Sequence, residues 1–390
     1  MAKSHPQKIA VVVPKYGLLG GGEAHTAEVT NRLAMNPEYE IHVFANRWIN
    51  HSENITFHHV PILAFPKFLS TISFAYFAGI KMSLNNFDII HTHERIFRAD
   101  LYTLHWVPHR FWIQKVRTKK QASLFDCATM WVEKKLVKSK RCHKYVAVSS
   151  LTKEKFIQEY PDIHCRQIEV IHPGVDLDAF TGLDRKTCRY EVRQRFGMDA
   201  TETVVIFVSM NYDIKGLDYL MTGLARFKER HPKEKFKLLI VGKSDHRKYS
   251  SLAEKTGIQP NVVYTGIIPH DKIAPLYLAS DIFSMPSRFD TFGLTVLEAM
   301  AASLPVIISE NVGAKDLVRQ GVNGFVITHA KHAEEIADAM ASLRREDIRM
   351  NMSTEAFATA SRHGWKQVAE KYTDVYKGII EKKTMGKSLL

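Results

Sequence analysis

The sequence has few cysteines, no long apolar run and fewer acidic than basic residues. Its four cysteines lack C-x-x-C spacing, which argues against a zinc site or a disulfide framework and fits a reducing cytoplasm. The most apolar stretch, 68–84, is too short and too polar to span a bilayer, so we expect a buried helix there. The polar start of the chain leads directly into a strand, and we therefore expect no signal peptide.

The chain length and the net charge limit which class of protein this can be. A chain of 390 residues should form two domains, and a hydrophobic fraction of 45% is ordinary for a globular protein. The net charge of +13 suggests an acidic partner, such as nucleic acid, phospholipid or a phosphorylated glycan. Because we find no nucleic-acid-binding motif, we do not expect nucleic acid as the partner.

The loop after the first predicted strand, 8–13, lacks both a G-x-G-x-x-G motif and a Walker lysine, so a dinucleotide or ATP site is poorly supported. A run of glycines that includes Gly20 and Gly21 leads instead into a helix that ends at about Met35. A glycine-rich loop between a strand and a helix is where α/β folds bind phosphate. A simple tight turn is the alternative.

Short apolar runs alternate with helical segments along the chain, which predicts α/β domains with parallel sheets. Further strands are predicted at 41–45, 55–60, 87–91, 101–105, 145–148, 169–171, 204–208, 237–241, 262–265, 282–285, 305–308 and 325–327. Helices are predicted at 67–84, 123–138, 150–160, 216–229, 292–302, 332–344, 347–361 and 365–381.

The stretch 284–308 predicts the end of a strand, a loop, a helix and another strand. Thr291 is the predicted N-cap of the helix. The N-terminus of a helix favours phosphate, and Gly293 would let a ligand approach the backbone closely. Asp290 and Glu298 are better suited to neutral hydroxyl donors, which sugars supply. These features favour a nucleotide-sugar, and an ordinary α/β helix with surface acids is the alternative.

Asp290 and Glu298, with seven residues between them and followed by Ala-Met-Ala-Ala-Ser-Leu-Pro-Val-Ile, resemble the carboxylate-x7-Glu signature of family 4 retaining glycosyltransferases. In that family the first carboxylate is usually Glu. The resemblance covers nearly the whole chain and implies two Rossmann-like α/β domains facing across a cleft, the glycosyltransferase-B fold. The first domain, 1–175, would bind the acceptor and the second, 176–364, the donor. The last helix, 365–384, would pack back on the first domain.

The resemblance also implies roles for individual residues. Glu298 would bind the ribose, Asp290 the donor sugar, and Lys215 with Gly21 the diphosphate, while His105 would lie near the anomeric centre. His105, Lys215 and Asp290 are then the catalytic residues. The implied donor-binding residues are Gly20, Gly21, Lys215, Gly242, Ile267, Asp290, Thr291, Phe292, Gly293, Leu294 and Glu298.

Lys215 follows the first strand of the second half, where its ammonium would stabilise a departing diphosphate, an effect worth roughly 3–4 kcal/mol. The family usually has an arginine a few residues upstream, but 209–214 contains none, and Asp213 adds negative charge. Backbone dipoles or Lys243 would have to compensate. No residue stands out as a covalent nucleophile, which agrees with the front-face mechanism usually proposed for this family.

No metal or other cofactor is expected, and the nucleotide-sugar counts as a substrate. Asp176-Leu177-Asp178 and His91-Thr92-His93 each match part of a metal site. Neither has an apparent third ligand, so both are better explained as structural features.

Basic and aromatic residues are concentrated at 95–141, a combination that suits the interface of an anionic membrane. The basic residues are Arg95, Arg98, Arg110, Lys115, Arg117, Lys119, Lys120, Lys134, Lys135, Lys138, Lys140 and Arg141, opposed by Asp100, Asp126 and Glu133. The predicted acceptor or membrane patch consists of Arg110, Trp112, Lys115, Arg117, Lys119 and Lys120. A solvated basic face with some core aromatics is the alternative.

Within the family, the chain resembles the lipopolysaccharide core glucosyltransferases at Lys15-Tyr16, at Lys215-Gly216 and at 241–249. That branch implies UDP-glucose as donor and a phosphorylated, lipid-linked acceptor at the cytoplasmic face of the inner membrane, with peripheral membrane binding. Three alternatives remain: a GDP- or TDP-sugar transferase, a nucleotide-sugar 2-epimerase, and a non-catalytic relative that binds glycan or lipid. The epimerase would need acid and base carboxylates that we cannot place.

Overall fold

The structure, a computed structural model, describes residues 5–387 except 19, 50–51, 118, 140, 244–245 and 329–332. Parts of the sequence analysis lie outside the described residues, namely Leu19, Lys140, Ser244, Asp245 and the start of the helix predicted at 332–344. The chain divides into two units, Met1–Gly174 with Trp365–Leu390, and Val175–Gly364. Each unit has its own parallel sheet.

The first unit is built from short strands and the helices that connect them. Its strands are β1 (Gln7–Val12), β2 (Lys15–Tyr16), β3 (Tyr39–Ala45), β4 (Arg47–Trp48), β5 (Ile55–His59), β6 (Ile89–Thr92), β7 (Leu101–Leu104), β8 (Lys144–Ala147) and β9 (Ile168–Val170). Its helices are α1 (Gly21–Leu33), α2 (Leu69–Ser83), α3 (His109–Phe111), α4 (Leu124–Lys138), α5 (Ser150–Glu159) and the C-terminal helix (Trp365–Lys387). A π-helix, Trp112–Val116, continues directly from α3.

The main sheet of the first unit is parallel and has the order β5-β3-β1-β6-β7-β8-β9. The strand order reverses between β1 and β6, and ligands of doubly wound sheets bind outside the carboxyl ends of such neighbouring strands. The glycine loop follows β1, while His93 and His105 follow β6 and β7. The glycine loop and His105 therefore lie at that edge.

Different helices cover the two faces of this sheet because side chains alternate along each strand. Ile9 and Val11 of β1 pack in one cluster with α1 and the C-terminal helix. Ala10 and Val12 pack in a second cluster with α2, α4 and α5. The C-terminal helix is thus part of the core of the first unit.

The most apolar stretch of the sequence forms α2. Phe74, Ala78 and Met82 on this helix are buried, as expected for a helix that packs on a sheet. Within the described ranges, no helix is both long enough and apolar enough to cross a membrane.

The second unit repeats the alternation of strands and helices. Its strands are β10 (Thr203–Val208), β11 (Phe236–Val241), β12 (Val262–Gly266), β13 (Ile282–Met285), β14 (Val306–Ser309) and β15 (Gly324–Ile327). Its helices are α6 (Asp178–Thr181), α7 (Arg185–Arg195), α8 (Tyr212–Lys215), α9 (Leu217–Arg230), α10 (His246–Lys255), α11 (Ala274–Leu278), α12 (Leu294–Ala301), α13 (Ala333–Leu343) and α14 (Glu346–Ala360).

The second sheet is also parallel, in the order β12-β11-β10-β13-β14-β15. This is the strand order 3-2-1-4-5-6 of nucleotide-binding α/β domains. The order reverses between β10 and β13, so the crevice for a ligand is expected at the carboxyl ends of these two strands.

The predicted strands are all present, with ends that shift by a residue or two. The prediction of Thr291 as an N-cap is wrong, because α12 begins at Leu294 with Gly293 at the N-cap. The preceding loop is held by a parallel bridge between Asp290 and Val312, which turns the chain before the helix can start. The sequence analysis also missed α7, a strongly polar helix in which Cys188, Val192 and Arg193 are buried.

Candidate active site

Lys215 and Asp290 form an ion pair where the strand order of the second sheet reverses. Lys215 is the last residue of α8, shortly after β10, and Asp290 follows β13. The ammonium of Lys215 donates a hydrogen bond to Oδ2 of Asp290. Their side chains are 23% and 15% exposed, so a ligand can still reach both.

Close backbone contacts hold the two loops of this pair together. Gly216 has φ 74°, and a Cβ there would lie 2.1 Å from the carbonyl oxygen of Pro286, so only glycine fits. The carbonyl oxygen of Ile214 accepts hydrogen bonds from Ser287 Oγ at 2.9 Å and from the N–H of Arg288 at 2.8 Å. The α8 turn and the loop after β13 therefore form one continuous surface.

The N-terminus of α12 faces the same loop. Gly293 has φ 90°, and a Cβ there would lie 3.2 Å from Oδ2 of Asp290. In the part of the chain that the structure describes, the N–H groups of Leu294 and Thr295 contact no acceptor. Unpaired N–H groups at a helix N-terminus carry partial positive charge and favour an anion such as phosphate.

Phe292 contributes its backbone rather than its side chain. The ring is 3% exposed and lies in the core of the second unit. The N–H of Phe292 lies 3.3 Å from Oδ1 of Asp290, and its carbonyl oxygen accepts a hydrogen bond from Ala314 at 2.7 Å. The backbone of Phe292 therefore helps to fix the loop between Asp290 and α12.

Glu298 lies on α12, about one turn beyond the unpaired N–H groups. Tyr277 donates a hydrogen bond to its Oε2 at 2.9 Å, and His270 lies 3.3 Å from its Oε1. Burial, and then the Glu298 carboxylate, raise the pKa of Tyr277, so the hydroxyl stays protonated as a donor. The side chain of Glu298 is 16% exposed. Tyr277 thus positions a carboxylate that a ligand hydroxyl can still reach.

The ends of β11 and β12 complete this edge of the second sheet. Gly242 has φ 125°, and a Cβ there would lie 1.8 Å from the carbonyl oxygen of Ser209. Its N–H donates to the carbonyl oxygen of Gly266 at 2.9 Å. Ile267 is 57% exposed and provides an apolar surface, and Lys243 is exposed beside it.

In the first unit, His105 lies directly against the glycine loop. A Cβ on Gly22 would lie 3.2 Å from Cγ of His105, so the ring packs under the first turn of α1, which begins at Gly21 after Gly20. Nε2 of His105 lies 2.8 Å from Nδ1 of His93. Burial lowers the pKa of His105 to about 3, and the ring is therefore neutral at pH 7.

Three further buried histidines connect His105 to the C-terminal helix. His25 lies 3.1 Å from the hydroxyl of Tyr372, and His91 lies 2.8 Å from the hydroxyl of Tyr376. Burial, and then the neighbouring histidines, lower the pKa of His25, His91 and His93. His91 of the H-x-H motif therefore holds the C-terminal helix on the sheet. In the described ranges, no group of three or more His, Cys, Asp or Glu side chains could hold a metal ion.

The sequence analysis missed Glu23, in the first turn of α1. Its Oε2 is buried and has no hydrogen-bond partner among the residues that the structure describes, and it lies 3.1 Å from the position of a Cβ on Gly20. Burial raises the pKa of this carboxyl, with Lys15 opposing the shift and Glu94 adding to it. The Gly-Gly-Gly-Glu motif is visible in the sequence, but the burial of its carboxylate is not.

Arg117 of the predicted acceptor or membrane patch pairs with the buried Asp126, and its side chain is 28% exposed. Arg117 donates hydrogen bonds to both carboxylate oxygens of Asp126, at 3.1 and 3.0 Å, and to the carbonyl oxygen of Gln121. Burial alone would raise the pKa of Asp126, but hydrogen bonds from Ser123, His109 and Arg117 hold it well below its usual range. Arg117 therefore stabilises the loop before α4.

The other predicted patch residues are at least partly exposed. Arg110 forms an ion pair with Glu159 at 3.4 Å, and Trp112 begins the π-helix. The exposed lysines of this segment are Lys115, Lys119 and Lys120.

Exposed basic and apolar side chains also lie on α4, on α2 and at the C-cap of α2, and the two helices pack against each other. We call this surface the α2–α4 face, and its residues are Tyr76, Ile80, Leu84, Leu124, Trp131, Lys135 and Lys138. The acidic residues on these two helices are Asp126 and Glu133, and both are buried. The α2–α4 face therefore combines exposed apolar groups with positive charge.

Two protein-family models match consecutive parts of the chain. The model described as Glycosyltransferase Family 4 matches residues 19–179. The model described as Glycosyl transferases group 1 matches residues 189–359. The chain therefore combines the two glycosyltransferase domains that these models describe. Its two Rossmann-like α/β units are the glycosyltransferase-B fold that the sequence analysis predicted.

The curated relatives that the chain matches are distant. D-inositol 3-phosphate glycosyltransferase of Corynebacterium aurimucosum is 29% identical over 238 residues, which cover 59% of this chain and 56% of the relative. The match to such curated relatives spans about half of their length.

Solved structures of two other proteins share the fold of this chain. WaaG, a glycosyltransferase involved in lipopolysaccharide biosynthesis, superposes with a TM-score of 0.78 at 20% identity, over 95% of this chain and 100% of WaaG. HepE of Anabaena, in complex with UDP and glucose, superposes with a TM-score of 0.70 at 18% identity, over 95% of this chain and 99% of HepE.

Proposed function

We propose that the protein transfers glucose from UDP-glucose to a membrane-linked, phosphate-bearing glycan, with retention of configuration at the sugar. The observation that carries the proposal is the Lys215–Asp290 pair beside the N-terminus of α12. A lysine and unpaired helix amides favour a diphosphate, and a carboxylate favours sugar hydroxyls. The complex of HepE with UDP and glucose supports the choice of donor.

In the proposed reaction, the bond between sugar C1 and the β-phosphate oxygen breaks, and UDP leaves with the electron pair. The acceptor oxygen attacks C1 on the same face, and its proton passes to the departing phosphate oxygen. The ammonium of Lys215 leaves the carboxylate of Asp290 and binds the diphosphate. The Asp290 carboxylate can then accept hydrogen bonds from the sugar hydroxyls. Donors directed at developing charge are worth roughly 3–4 kcal/mol in the transition state.

The remaining roles follow the family resemblance. We propose that Gly21 contacts the diphosphate, that His105 lies near the anomeric centre, and that Glu298 binds the ribose. Neutral His105 adds no charge of its own at pH 7. We propose that turnover needs no metal ion.

The proposed acceptor lies on a membrane. The α2–α4 face joins exposed apolar side chains to lysines and exposes no acid from either helix, which fits the surface of an anionic bilayer. We therefore propose peripheral binding at the cytoplasmic face of the inner membrane, with a phosphorylated, lipid-linked acceptor. The involvement of the structural neighbour WaaG in lipopolysaccharide biosynthesis supports this choice. The names of the curated relatives favour a phosphorylated polyol such as inositol phosphate as a second candidate acceptor.

A thermal-shift screen in EDTA tests the donor site. We expect UDP and UDP-glucose to raise the melting temperature, and GDP and TDP to do so less, since a ligand at a hundred times its Kd stabilises by about 2.7 kcal/mol. The shift should disappear in Lys215→Ala and Glu298→Ala. A larger shift with GDP or TDP would overturn the choice of UDP, and the absence of any nucleotide shift would contradict the proposed function.

Product analysis separates the remaining alternatives. With UDP-glucose and an acceptor, we expect UDP release and a new α-linked glucoside. Conversion of the sugar without an acceptor would indicate an epimerase. Binding without any turnover would indicate a non-catalytic glycan-binding relative.

A further inference from the structure

Arg288 connects the two loops that carry Lys215 and Asp290. Its guanidinium donates hydrogen bonds to both carboxylate oxygens of Asp218, at 2.9 and 2.6 Å, and to the carbonyl oxygen of Asp213. Asp213 precedes Lys215 in α8, and Asp218 follows it at the start of α9. One side chain therefore holds the chain on both sides of the lysine.

Further contacts hold Arg288 in place. Its N–H donates to the carbonyl oxygen of Ile214 at 2.8 Å, and its guanidinium carbon lies 4.1 Å from the ring centre of Tyr219. Burial alone would lower the pKa of Arg288, but the contacts with the Asp218 carboxylate raise it above its usual value. A planar, bidentate and stacked arginine has a fixed geometry that a lysine cannot reproduce.

The negative charge of Asp213 is not directed at Lys215. Its carboxylate accepts hydrogen bonds from Lys248 and, at 3.0 Å, from the hydroxyl of Tyr249. These contacts lower the pKa of Asp213, with Lys248 as the largest cause. Asp213, the acid that the sequence analysis noted near Lys215, therefore helps to anchor the α8 turn.

We propose that Arg288 is a positioning residue that fixes Lys215 for the diphosphate. It acts through the backbone of α8 and through Asp218, and it touches neither Lys215 nor the ligand. This inference rests on the proposed function, because the diphosphate is the ligand that Lys215 would bind.

Calorimetric titration with UDP and with UMP tests this role. UMP lacks the β-phosphate, so a residue that acts through Lys215 should affect UDP selectively. We expect Arg288→Met to weaken UDP binding about tenfold and UMP binding less than twofold. Arg288→Lys should restore little, because lysine cannot bridge Asp218 in two places. Arg226→Met is the matched control, since Arg226 is exposed and pairs with Glu229 and Glu334.

The outcomes of the titration test the positioning role of Arg288 separately from the proposed function. If Arg288→Met leaves UDP binding unchanged, or weakens UDP and UMP equally, the positioning role is wrong while the proposed function stands. If the wild-type protein binds neither nucleotide, the proposed function fails and the inference fails with it. If Arg288→Met does not fold, Asp218→Asn, which removes the same bidentate contact, must show the UDP-selective loss.

Discussion

The ammonium of Lys215 donates a hydrogen bond to the carboxylate of Asp290, 75 positions away in the chain. The two residues meet because β10 and β13 are parallel neighbours in the sheet. Parallel neighbours bring their carboxyl ends to one edge, where a ligand can contact residues from both loops. Under the proposed function, a donor diphosphate would compete with Asp290 for Lys215.

Replacement of Lys215 should lower turnover more than it lowers stability. We expect Lys215→Met to reduce kcat/KM by a factor of about a hundred to a thousand, because it removes a donor directed at the leaving group. Initial rates of UDP release measure the effect. Lys233→Met, at an exposed lysine of the second unit, is the control and should keep full activity. A loss of less than tenfold in Lys215→Met would contradict the assigned role.

Glu298 should discriminate between nucleotides by their ribose hydroxyls. We expect wild-type protein to bind UDP more tightly than its 2′,3′-dideoxy analogue, and Glu298→Gln to remove most of that preference. Tyr277→Phe, which removes the donor to Glu298, should reduce the preference only in part. Calorimetry with both nucleotides gives the comparison. An unchanged preference in Glu298→Gln would place the ribose elsewhere.

The glycine after β11 should tolerate no side chain. Gly242→Ala combines a left-handed backbone with a Cβ that would lie 1.8 Å from Ser209 oxygen, so we expect a loss of roughly 3 kcal/mol or more in unfolding free energy. Gly257 also has a positive φ but open space around its Cβ position. Gly257→Ala should therefore cost only about 1 kcal/mol. Urea unfolding of both variants makes the comparison, and equal losses would contradict it.

The first unit should lose stability in mild acid because its histidines are buried in their neutral form. The pKa of His91 and of His105 is about 3 in the folded state, against 6.5 for an unburied histidine. Stability is then complete above pH 6.5 and falls as the pH drops towards 3, by about 1.4 kcal/mol per pH unit for each proton taken up.

Urea unfolding between pH 7 and pH 4 measures this dependence. His93→Gln should make the slope shallower, because the pKa of His93 is also depressed by burial. His143→Gln, at an exposed histidine, should leave the slope unchanged. A stability that does not vary over this pH range would show that the histidines are not buried as neutral rings.

The α2–α4 face should bind anionic vesicles. Each lysine near an anionic surface contributes about 1 kcal/mol, so we expect Lys135→Glu with Trp131→Ala to weaken binding to phosphatidylglycerol vesicles at least tenfold. Flotation at low and high salt provides the measurement, and the salt dependence should decrease in the variant. Lys233→Glu is the control. Equal binding of wild type and variant would reject this face as the membrane surface.

Local patterns were sufficient for much of the fold. Each strand of the two main sheets was predictable because a buried parallel strand is a short, nearly continuous apolar run between turn residues, whereas the two-residue strands β2 and β4 were not predicted. The helix around Glu298 was predictable from its apolar spacing, but its start was not, since the Asp290–Val312 bridge lies outside the local pattern. The polar helix α7 was missed for the same reason, because its place depends on contacts with distant residues such as Asp281.

Local sequence was enough to place Lys215 and Asp290 after two apolar runs, and Glu298 on the helix that follows. The pairing of Lys215 with Asp290, the contacts by which Arg288 anchors the α8 turn, and the burial of Glu23 became visible only in the folded chain. Periodicity and turn chemistry act over a few residues, whereas strand order and burial depend on residues far apart in the chain.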